Sequence, residues 1–321
     1  MIWVSSKPCS YQYLAAYFSG DLHISNSFDV NIGVRWTKDE KDAVWLQSGV
    51  APIGVPDVTQ NAKKTFSELS PTVAASWHME DATMYAKYSE GFKSGGFMAD
   101  IIGEAPEAFV LDSETVSSYE LGVKSTLLGG SMRLNAALFS MDYDNLQVIS
   151  LVGATFEGDN AGTATIRGAE VEMQWYATED LLFKGGLGLT NSKYDEFLTA
   201  TGNDYSGNTL RNAPDMTANL TTEYRVPLKS GELIALAEAS YRDEVWYDPS
   251  NSDAVYQGDV SLINARIGYS SEEANWSVFF YGKNLTNEEY TAYRRNGPFG
   301  QSSGTYGEPR TVGVEFTYNY W

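Results

Sequence analysis

Apolar residues occupy every second position along much of this chain, and the stretches are joined by connections that are alternately tight and long. In one such stretch Val73, Ala75, Trp77 and Met79 alternate with smaller or more polar residues. A period of two indicates β-strands with two chemically different faces. Tight turns at one end and long polar loops at the other predict an antiparallel meander whose two ends face different environments. Transmembrane β-barrels have this form, with strands that are apolar outside and polar inside.

Thirteen strands can be placed by this alternation. They are predicted near residues 11–24, 28–38 with an extension to 47, 69–79, 82–92, 119–124, 132–138, 169–175, 183–189, 217–224, 232–246, 263–269, 276–280 and 312–320. Tight connections are expected at 25–26, 80–81, 129–130, 178–180, 227–231 and 270–275. Long loops are expected at 48–65, 93–112, 153–162, 196–208 and 287–308, with an acidic loop after residue 246. The glycine pair at 129–130 suits the positive φ angles of a hairpin turn.

The polar face of these strands decides between two architectures. Glu170 and Glu172 alternate with Val171 and Met173, and other strands carry charges in the same phase. Such charges cannot lie in a dry core without a large desolvation cost. A hydrated lumen with a lipid-facing exterior accommodates every strand at once. A two-sheet sandwich, which would expose the polar faces to bulk water, stays an alternative, but the asymmetry of turns and loops and an aromatic content of 13% favour the barrel.

Composition excludes several functions. The net charge of -20 leaves no basic stripe for phosphate, so no nucleic-acid role is expected. The acid excess is read as ordinary surface solvation. Cys9 is the sole cysteine, and the two histidines, His23 and His78, lack metal-ligand spacing, so neither a disulfide nor a metal or other cofactor is predicted.

Membrane signals of the helical kind are missing from the sequence. The mean hydropathy is -0.30, and no apolar run approaches the roughly 18 residues of a membrane helix. In a β-barrel only alternate residues of each strand face lipid, so the low mean hydropathy does not argue against a membrane location. The first ten residues have no basic region, apolar core or cleavage site, and a signal peptide is therefore not predicted within this chain.

Several segments, all in family order, carry a resemblance to a known family. They are residues 85–97 (YAKYSEGFKSGGF), 118–124 (SYELGVK), 167–172 (RGAEVE), 210–214 (LRNAP), 283–287 (KNLTN) with Tyr290, and 308–314 (EPRTVGV). Together they resemble the C-terminal part of the β-barrel of TonB-dependent outer-membrane receptors of the siderophore type. The resemblance is clearest over residues 66–321, and residues 1–321 are interpreted as one portion of the barrel domain.

The resemblance implies a 22-stranded barrel with a plugged lumen. We therefore expect an all-β, antiparallel up-and-down transmembrane barrel that is partial, with about 13 of the 22 strands and without the plug domain, the TonB box or a signal peptide. The implied function is uptake of a scarce nutrient, most often a ferric siderophore, across the outer membrane of a Gram-negative cell. Outer-membrane lipid and lipopolysaccharide are the expected surroundings. TonB would act only through the missing plug, so this chain alone is not expected to perform energised import.

Six residues near the predicted pore mouth are the candidate ligand contacts. They are Lys93, Tyr247, Tyr293, Arg294, Arg295 and Tyr306. Arginine and tyrosine at such a mouth can engage an anionic, aromatic-rich ligand by charge and stacking. Contact with lipopolysaccharide or simple loop packing is the alternative interpretation for each.

Two other functions fit the sequence less well. A passive channel or stand-alone barrel would need a parallel seam, because thirteen antiparallel strands leave the first and last running in the same direction, and bacterial single-chain barrels have even strand counts. An outer-membrane hydrolase would need a base beside its nucleophile. Neither histidine lies near a serine nucleophile motif, and no Gly-x-Ser-x-Gly elbow occurs. The pair Glu170 and Glu172 is better explained by lumen solvation, so no enzyme and no catalytic residue is predicted.

Overall fold

A single antiparallel sheet of thirteen strands dominates the computed structural model, which describes residues 10–47, 58–98, 110–152, 155–199, 202–271, 275–297 and 301–320. Its strands are β1 (Ser10–Ser25), β2 (Phe28–Gln47), β3 (Val58–His78), β4 (Ala82–Lys93), β7 (Glu114–Leu127), β8 (Met132–Val152), β9 (Thr155–Tyr176), β10 (Leu181–Glu196), β11 (Met216–Leu228), β12 (Gly231–Arg242), β15 (Val260–Ser271), β16 (Trp276–Lys283) and β19 (Thr311–Tyr318). Six short strands pair two by two within the loops: β5 (Gly96–Phe97) with β6 (Val110–Leu111), β13 (Val245–Trp246) with β14 (Tyr256–Gln257), and β17 (Thr291–Asn296) with β18 (Ser302–Tyr306).

Strands that follow one another in the main sheet are neighbours in sequence, with β1 and β19 at its two edges. This order is the up-and-down meander predicted above, and the strand number of the prediction is confirmed. No helix in the described ranges is long and apolar enough to cross a bilayer.

The two faces of the sheet differ as the alternation predicted. Val171 pairs with Ala136 on the apolar face, whereas Glu172 pairs with Asn135 on the polar face, where their side chains are 3.5 Å apart. Val171 is 38% exposed although it is apolar, so it does not belong to a packed core. The same apolar face exposes Leu22 and Phe18 on β1, Phe28, Ile32 and Trp36 on β2, Leu69, Val73 and Trp77 on β3, Leu187 and Leu189 on β10, and Val312, Val314 and Phe316 on β19.

These residues form an apolar belt that begins at the tight turns and ends at a common level. On β2 the belt runs from Phe28 to Trp36, and on β3 from Trp77 to Leu69. A tilted strand needs about 9–11 residues to cross a bilayer, so the belt has the height of the hydrocarbon layer. Beyond it the outward positions become polar, as at Lys38 on β2 and Arg167 on β9. The far ends of β2, β3, β8 and β9 therefore extend past the membrane.

The predicted boundaries were wrong where strands leave the belt. Instead of a loop at 153–162, β8 and β9 continue as one long hairpin, and β3 begins at Val58 rather than after residue 65. The tenth strand, β12, ends at Arg242 instead of reaching residue 246. Past the belt both faces meet water, so the backbone pairing continues while the apolar alternation that identifies a strand disappears.

Candidate functional site

The end of the sheet opposite the tight turns forms a mouth. We use this name for the extensions of β2, β3, β8 and β9 together with loops 94–113, 197–215, 243–259 and 284–310. Each of these loops contacts a strand extension or another loop, and many of the contacts are made by side chains that bind backbone groups.

Loop 94–113 rests on the extension of β2 and β3. Gly95 lies directly on the ring of Phe66, where a Cβ atom would collide with that ring and with the carbonyl oxygen of Leu111. Lys41 and Lys64 each place their ammonium 5.4 Å from the centre of the Phe66 ring. Lys41 also donates to the carbonyl of Gly95. The ring thus lies within cation–π distance of two ammonium groups and beneath the loop, an arrangement that fixes the loop against the strands.

The other side of loop 94–113 is bound to β8 and β9. Gln147 Nε2 donates to the carbonyl of Asp112 at 2.8 Å. Asn160 Oδ1 accepts from the backbone N–H of Asp112, also at 2.8 Å, and Asn160 Nδ2 donates back to the Asp112 carbonyl at 3.0 Å. The loop therefore bridges two strand pairs that are separated in the sheet.

Loop 197–215 packs on the same β8–β9 extension through an aromatic cluster. Phe197 (1% exposed) and Tyr194 (2%) contact Val148 and Ala164, which are buried as well. The ring of Phe197 lies 5.0 Å from that of Tyr194 and 5.3 Å from that of Tyr205. Burial raises the pKa of the Tyr194 hydroxyl. This cluster is a small hydrophobic core outside the belt.

Reciprocal hydrogen bonds join loop 197–215 to loop 243–259. The side chain of Asn251 accepts from the backbone N–H of Thr209 at 2.8 Å and donates to the Thr209 carbonyl at 3.0 Å. Asn208 Nδ2 donates to the carbonyl of Pro249 at 2.9 Å. Asn251 itself has a φ of 51°, a left-handed conformation that asparagine adopts more readily than most residues.

Acidic side chains crowd the junction of these two loops. Burial raises the pKa of Asp215, and the nearby charges of Asp243 and Glu244 raise it further. Tyr256 donates its hydroxyl to Glu244 at 2.9 Å, and this hydrogen bond raises the pKa of Tyr256. The junction consequently disfavours the charged form of Asp215.

Thr291 joins loop 284–310 to loop 243–259. It is 5% exposed, and its carbonyl accepts from the Tyr247 hydroxyl at 2.7 Å. Its N–H and hydroxyl both donate to Gln257 Oε1, at 2.8 and 2.6 Å. The base of loop 284–310 is closed by Asn284, whose amide nitrogen donates to the carbonyls of Glu288 (2.8 Å) and Glu308 (3.1 Å).

The structure places the six predicted ligand contacts in two groups. Lys93 stands apart at the end of β4, with its ammonium 3.8 Å from Glu114. The other five lie in loops 243–259 and 284–310: Tyr247, Tyr293, Arg294, Arg295 and Tyr306. Tyr293 is 47% exposed and Tyr306 80%, whereas Tyr247 is 6% exposed and uses its hydroxyl for loop packing. Within the described residues neither Arg294 nor Arg295 takes part in an ion pair. Whether these residues contact a ligand stays a prediction.

The sequence reasoning overlooked an aromatic wall on the first strand. Tyr11, Tyr13 and Tyr17 share the lumen face of β1 and are 58%, 51% and 77% exposed. The Arg35 guanidinium lies 5.8 Å from the Tyr13 ring centre, and the Lys41 ammonium 5.9 Å from that of Tyr11. Three tyrosines in one phase of a single strand were the available signal.

The two histidines lie far apart in sequence, yet both contact Asp29. His23 Nδ1 is 2.6 Å from Asp29 Oδ1, and His78 Nε2 is 2.9 Å from Asp29 Oδ2. The Asp29 carboxylate thus links the two imidazole rings. The three side chains form a hydrogen-bonded chain across β1, β2 and β3 at the tight-turn end. No group of three histidine, cysteine or acidic residues in the described part of the chain is arranged to hold a metal ion.

The lumen wall carries charges that are paired across strands. Arg266 Nη2 lies 2.8 Å from Glu315 Oε1, and the guanidinium stacks 3.8 Å from the centre of the Phe279 ring. Beside them a cavity of about 570 Å³ opens between β12, β15, β16 and β19. Such side chains suit a hydrated interior and would be costly in a dry one.

Comparison with known proteins agrees with this architecture. The sequence matches the family described as TonB dependent receptor-like, beta-barrel over residues 5–285. The chain therefore belongs to the TonB-dependent receptor β-barrel family. It is 23% identical over 310 residues to the pesticin receptor of Yersinia pestis, and 24% identical over 314 residues to the ferric-pyoverdine BN7/BN8 receptor of Pseudomonas putida.

The crystal structure of the ferric yersiniabactin uptake receptor FyuA from Yersinia pestis superposes with a TM-score of 0.86 at 21% identity. The match covers 99% of this chain and 47% of that one. The alignments to the two curated relatives cover 96% and 95% of this chain but 44% and 34% of theirs. This chain thus spans less than half the length of each of these proteins, and the thirteen-stranded sheet corresponds to part of their barrel.

Proposed function

We propose that the protein forms the wall and mouth of an outer-membrane receptor that takes up a ferric siderophore. The observation that carries this proposal is the mouth itself, in which loops anchored to one another present exposed tyrosines and two arginines that form no ion pair with any described residue. Family membership supports the receptor class, and the named relatives are receptors for pesticin and for ferric pyoverdine. An anionic iron chelate with aromatic donor groups suits such a surface.

The surroundings follow from the belt. We propose that the protein lies in the outer membrane of a Gram-negative cell, with the apolar belt in the hydrocarbon and lipopolysaccharide around the mouth. Outward cations such as Lys38 and Arg167 stand just above the belt, at the level where lipid phosphates are expected.

Energised import is proposed to need more than these strands. TonB would act through a plug domain inside the lumen, and the paired charges of the lumen wall, such as Arg266 with Glu315, are suited to a hydrated or polypeptide-filled interior. We expect residues 1–321 produced alone in a receptor-null strain to support no uptake; uptake by this chain alone would contradict this part of the proposal.

Binding can be tested separately from transport. Outer membranes containing the protein should bind one class of radioactive ferric chelate, from a panel of catecholate, hydroxamate and hydroxycarboxylate complexes, in excess of membranes without it. Ion-conductance measurements in planar bilayers provide the contrast. Steady, unselective conductance with no chelate bound would favour the passive channel and refute the receptor.

A further inference from the structure

Arg294 and Arg295 are adjacent in sequence but have different surroundings. In the β17–β18 hairpin Arg294 is opposite Gly304 and Arg295 opposite Ser303, so the two side chains leave opposite faces of the hairpin. Arg294 is half-buried, and its Nε donates to Thr291 Oγ1 at 3.1 Å. Arg295 is exposed, and its Nε contacts Ser303 Oγ at 3.3 Å. One guanidinium is turned toward the base of the hairpin and the other toward solvent.

The group that Arg294 contacts is the most constrained in the hairpin. Thr291 binds Tyr247 through its carbonyl and Gln257 through its N–H and hydroxyl. Because the hydroxyl proton is committed to Gln257, the hydroxyl oxygen is free to accept from Arg294. Removal of Tyr247 or Gln257 would leave a buried polar group of Thr291 unsatisfied, which is costly because the group has already lost its water. Removal of Arg294 would take away the bond that this side chain makes to the Thr291 hydroxyl.

The platform beneath this group is also buried. Tyr247 clusters with Val245 (1% exposed) and Val255 (0%), and its ring meets that of Tyr293 edge-on, with centres 5.6 Å apart. Loop 243–259 therefore offers a small apolar core and three hydrogen bonds to the base of the hairpin. The hairpin's orientation depends on this loop.

We propose that Arg294 is a positioning residue that locks the β17–β18 hairpin to loop 243–259, and that Arg295 is the residue whose charge meets an anionic chelate. This inference rests on the proposed function and assigns separate roles within its site. The planar guanidinium of Arg295 matches carboxylate or catecholate oxygens in a bidentate manner. Arg295 is exposed, so its guanidinium is open to a ligand that approaches from solvent.

Two probes and two measurements separate the roles in the intact receptor. The probes are trianionic ferric tris(catecholate) and neutral ferric tris(acetohydroxamate), and the measurements are their Kd values and the hydrogen exchange of amides 291–306. Arg295→Ala should raise the Kd of the anionic probe about 10-fold or more, change the Kd of the neutral probe less than about 3-fold, and leave amide exchange unaltered. Arg294→Ala should speed amide exchange in the hairpin about 10-fold or more and raise the Kd of both probes by a similar factor.

Matched variants control for folding. Thr291→Val removes the hydroxyl that both Arg294 and Gln257 contact while preserving shape, and should speed exchange at least as much as Arg294→Ala. Ser303→Ala removes the contact of Arg295 and should leave exchange unchanged. Unaltered exchange in Arg294→Ala overturns the positioning role whatever the ligand. Equal loss of both probes in Arg295→Ala overturns the contact role while the receptor function stands. If neither probe binds the unaltered protein, the contact role of Arg295 and the proposed function fail together. The positioning role of Arg294 is then tested by amide exchange alone.

Discussion

Substitution of Phe197 by alanine should release loop 197–215 from the mouth. Phe197 is 1% exposed, and its ring contacts those of Tyr194 and Tyr205 at 5.0 and 5.3 Å. Truncation of a buried phenylalanine costs about 3–5 kcal/mol, a range that includes the lost transfer energy and the cavity left behind. Because the cluster lies outside the belt, the loss should fall on local opening of the mouth and not on the membrane-spanning strands.

Hydrogen exchange measures this opening directly. A loss of about 3–5 kcal/mol corresponds to a roughly 100- to 4,000-fold faster exchange of protected amides in residues 197–215, since about 1.4 kcal/mol is a factor of ten. The backbone N–H groups of Tyr205 and Asn208, which donate to Phe197 and Tyr205 respectively, are the reporters. Amides of the belt, such as those of β9, should keep their wild-type rates.

The neighbouring residue is a matched control. Leu198 is also large and apolar, but it is 66% exposed. Leu198→Ala should change the free energy of local opening, measured by exchange, by less than about 0.5 kcal/mol, the ordinary range for surface substitutions. Equal effects of the two substitutions, or exchange in Phe197→Ala that rises equally in the belt, would refute a separate core in the mouth.

Three further predictions concern other parts of the molecule. Gly95→Ala should loosen loop 94–113 and increase its cleavage by added protease, because its Cβ would collide with the ring beneath it, whereas Gly96→Ala, with open space around its Cβ, should not. Asp215→Asn should flatten the pH dependence of mouth opening measured by hydrogen exchange. Because the folded pKa of Asp215 is raised, the contribution of this residue to stability is fully present below its unfolded pKa, about 3.9, and is lost as pH rises through its folded pKa. At pH 7 the amides of the variant should therefore be more protected from exchange than those of the wild type. Val171→Arg should lower the free energy of unfolding from lipid vesicles by about 2–4 kcal/mol in a urea titration, whereas Glu170→Arg, on the lumen face, should lower it much less; equal losses would contradict the assigned faces.

The strands inside the belt were predictable because lipid and water impose opposite demands on alternate residues. Residues 169–175 of β9 show this pattern, and their pairing with β10 followed from the short turn at 178–180, whereas their pairing with β8 followed from the meander order. The extension of β9 was missed because its outward positions past the belt, Thr163, Thr165 and Arg167, are polar, so the apolar phase of residues 169–175 does not continue there. A backbone ladder continues there without a hydrophobic signature.

The mouth was predictable in its residue types but not in its contacts. Tyrosine and arginine in loop 284–310 suggested a binding surface, yet nothing in the sequence indicated that Asn251 would pair with Thr209, 42 positions away. Tyr247 illustrates the difficulty, since an amphipathic ring suits ligand contact and loop packing equally well. The structure shows it 6% exposed and bound to Thr291. Long-range contacts between a side chain and a backbone group have no periodicity to read.

The reciprocal bonds between Asn251 and Thr209 have a consequence for exchanging parts between receptors. A 197–215 segment grafted from another receptor would lack the groups that bind Asn251 in loop 243–259. Loop 243–259 in turn binds the base of the β17–β18 hairpin. Chimeras that transfer one of these segments would therefore be misassembled at both of its borders. New recognition properties would have to be transplanted as a block of three consecutive loops, and natural diversification of this surface would be expected to proceed by the same unit.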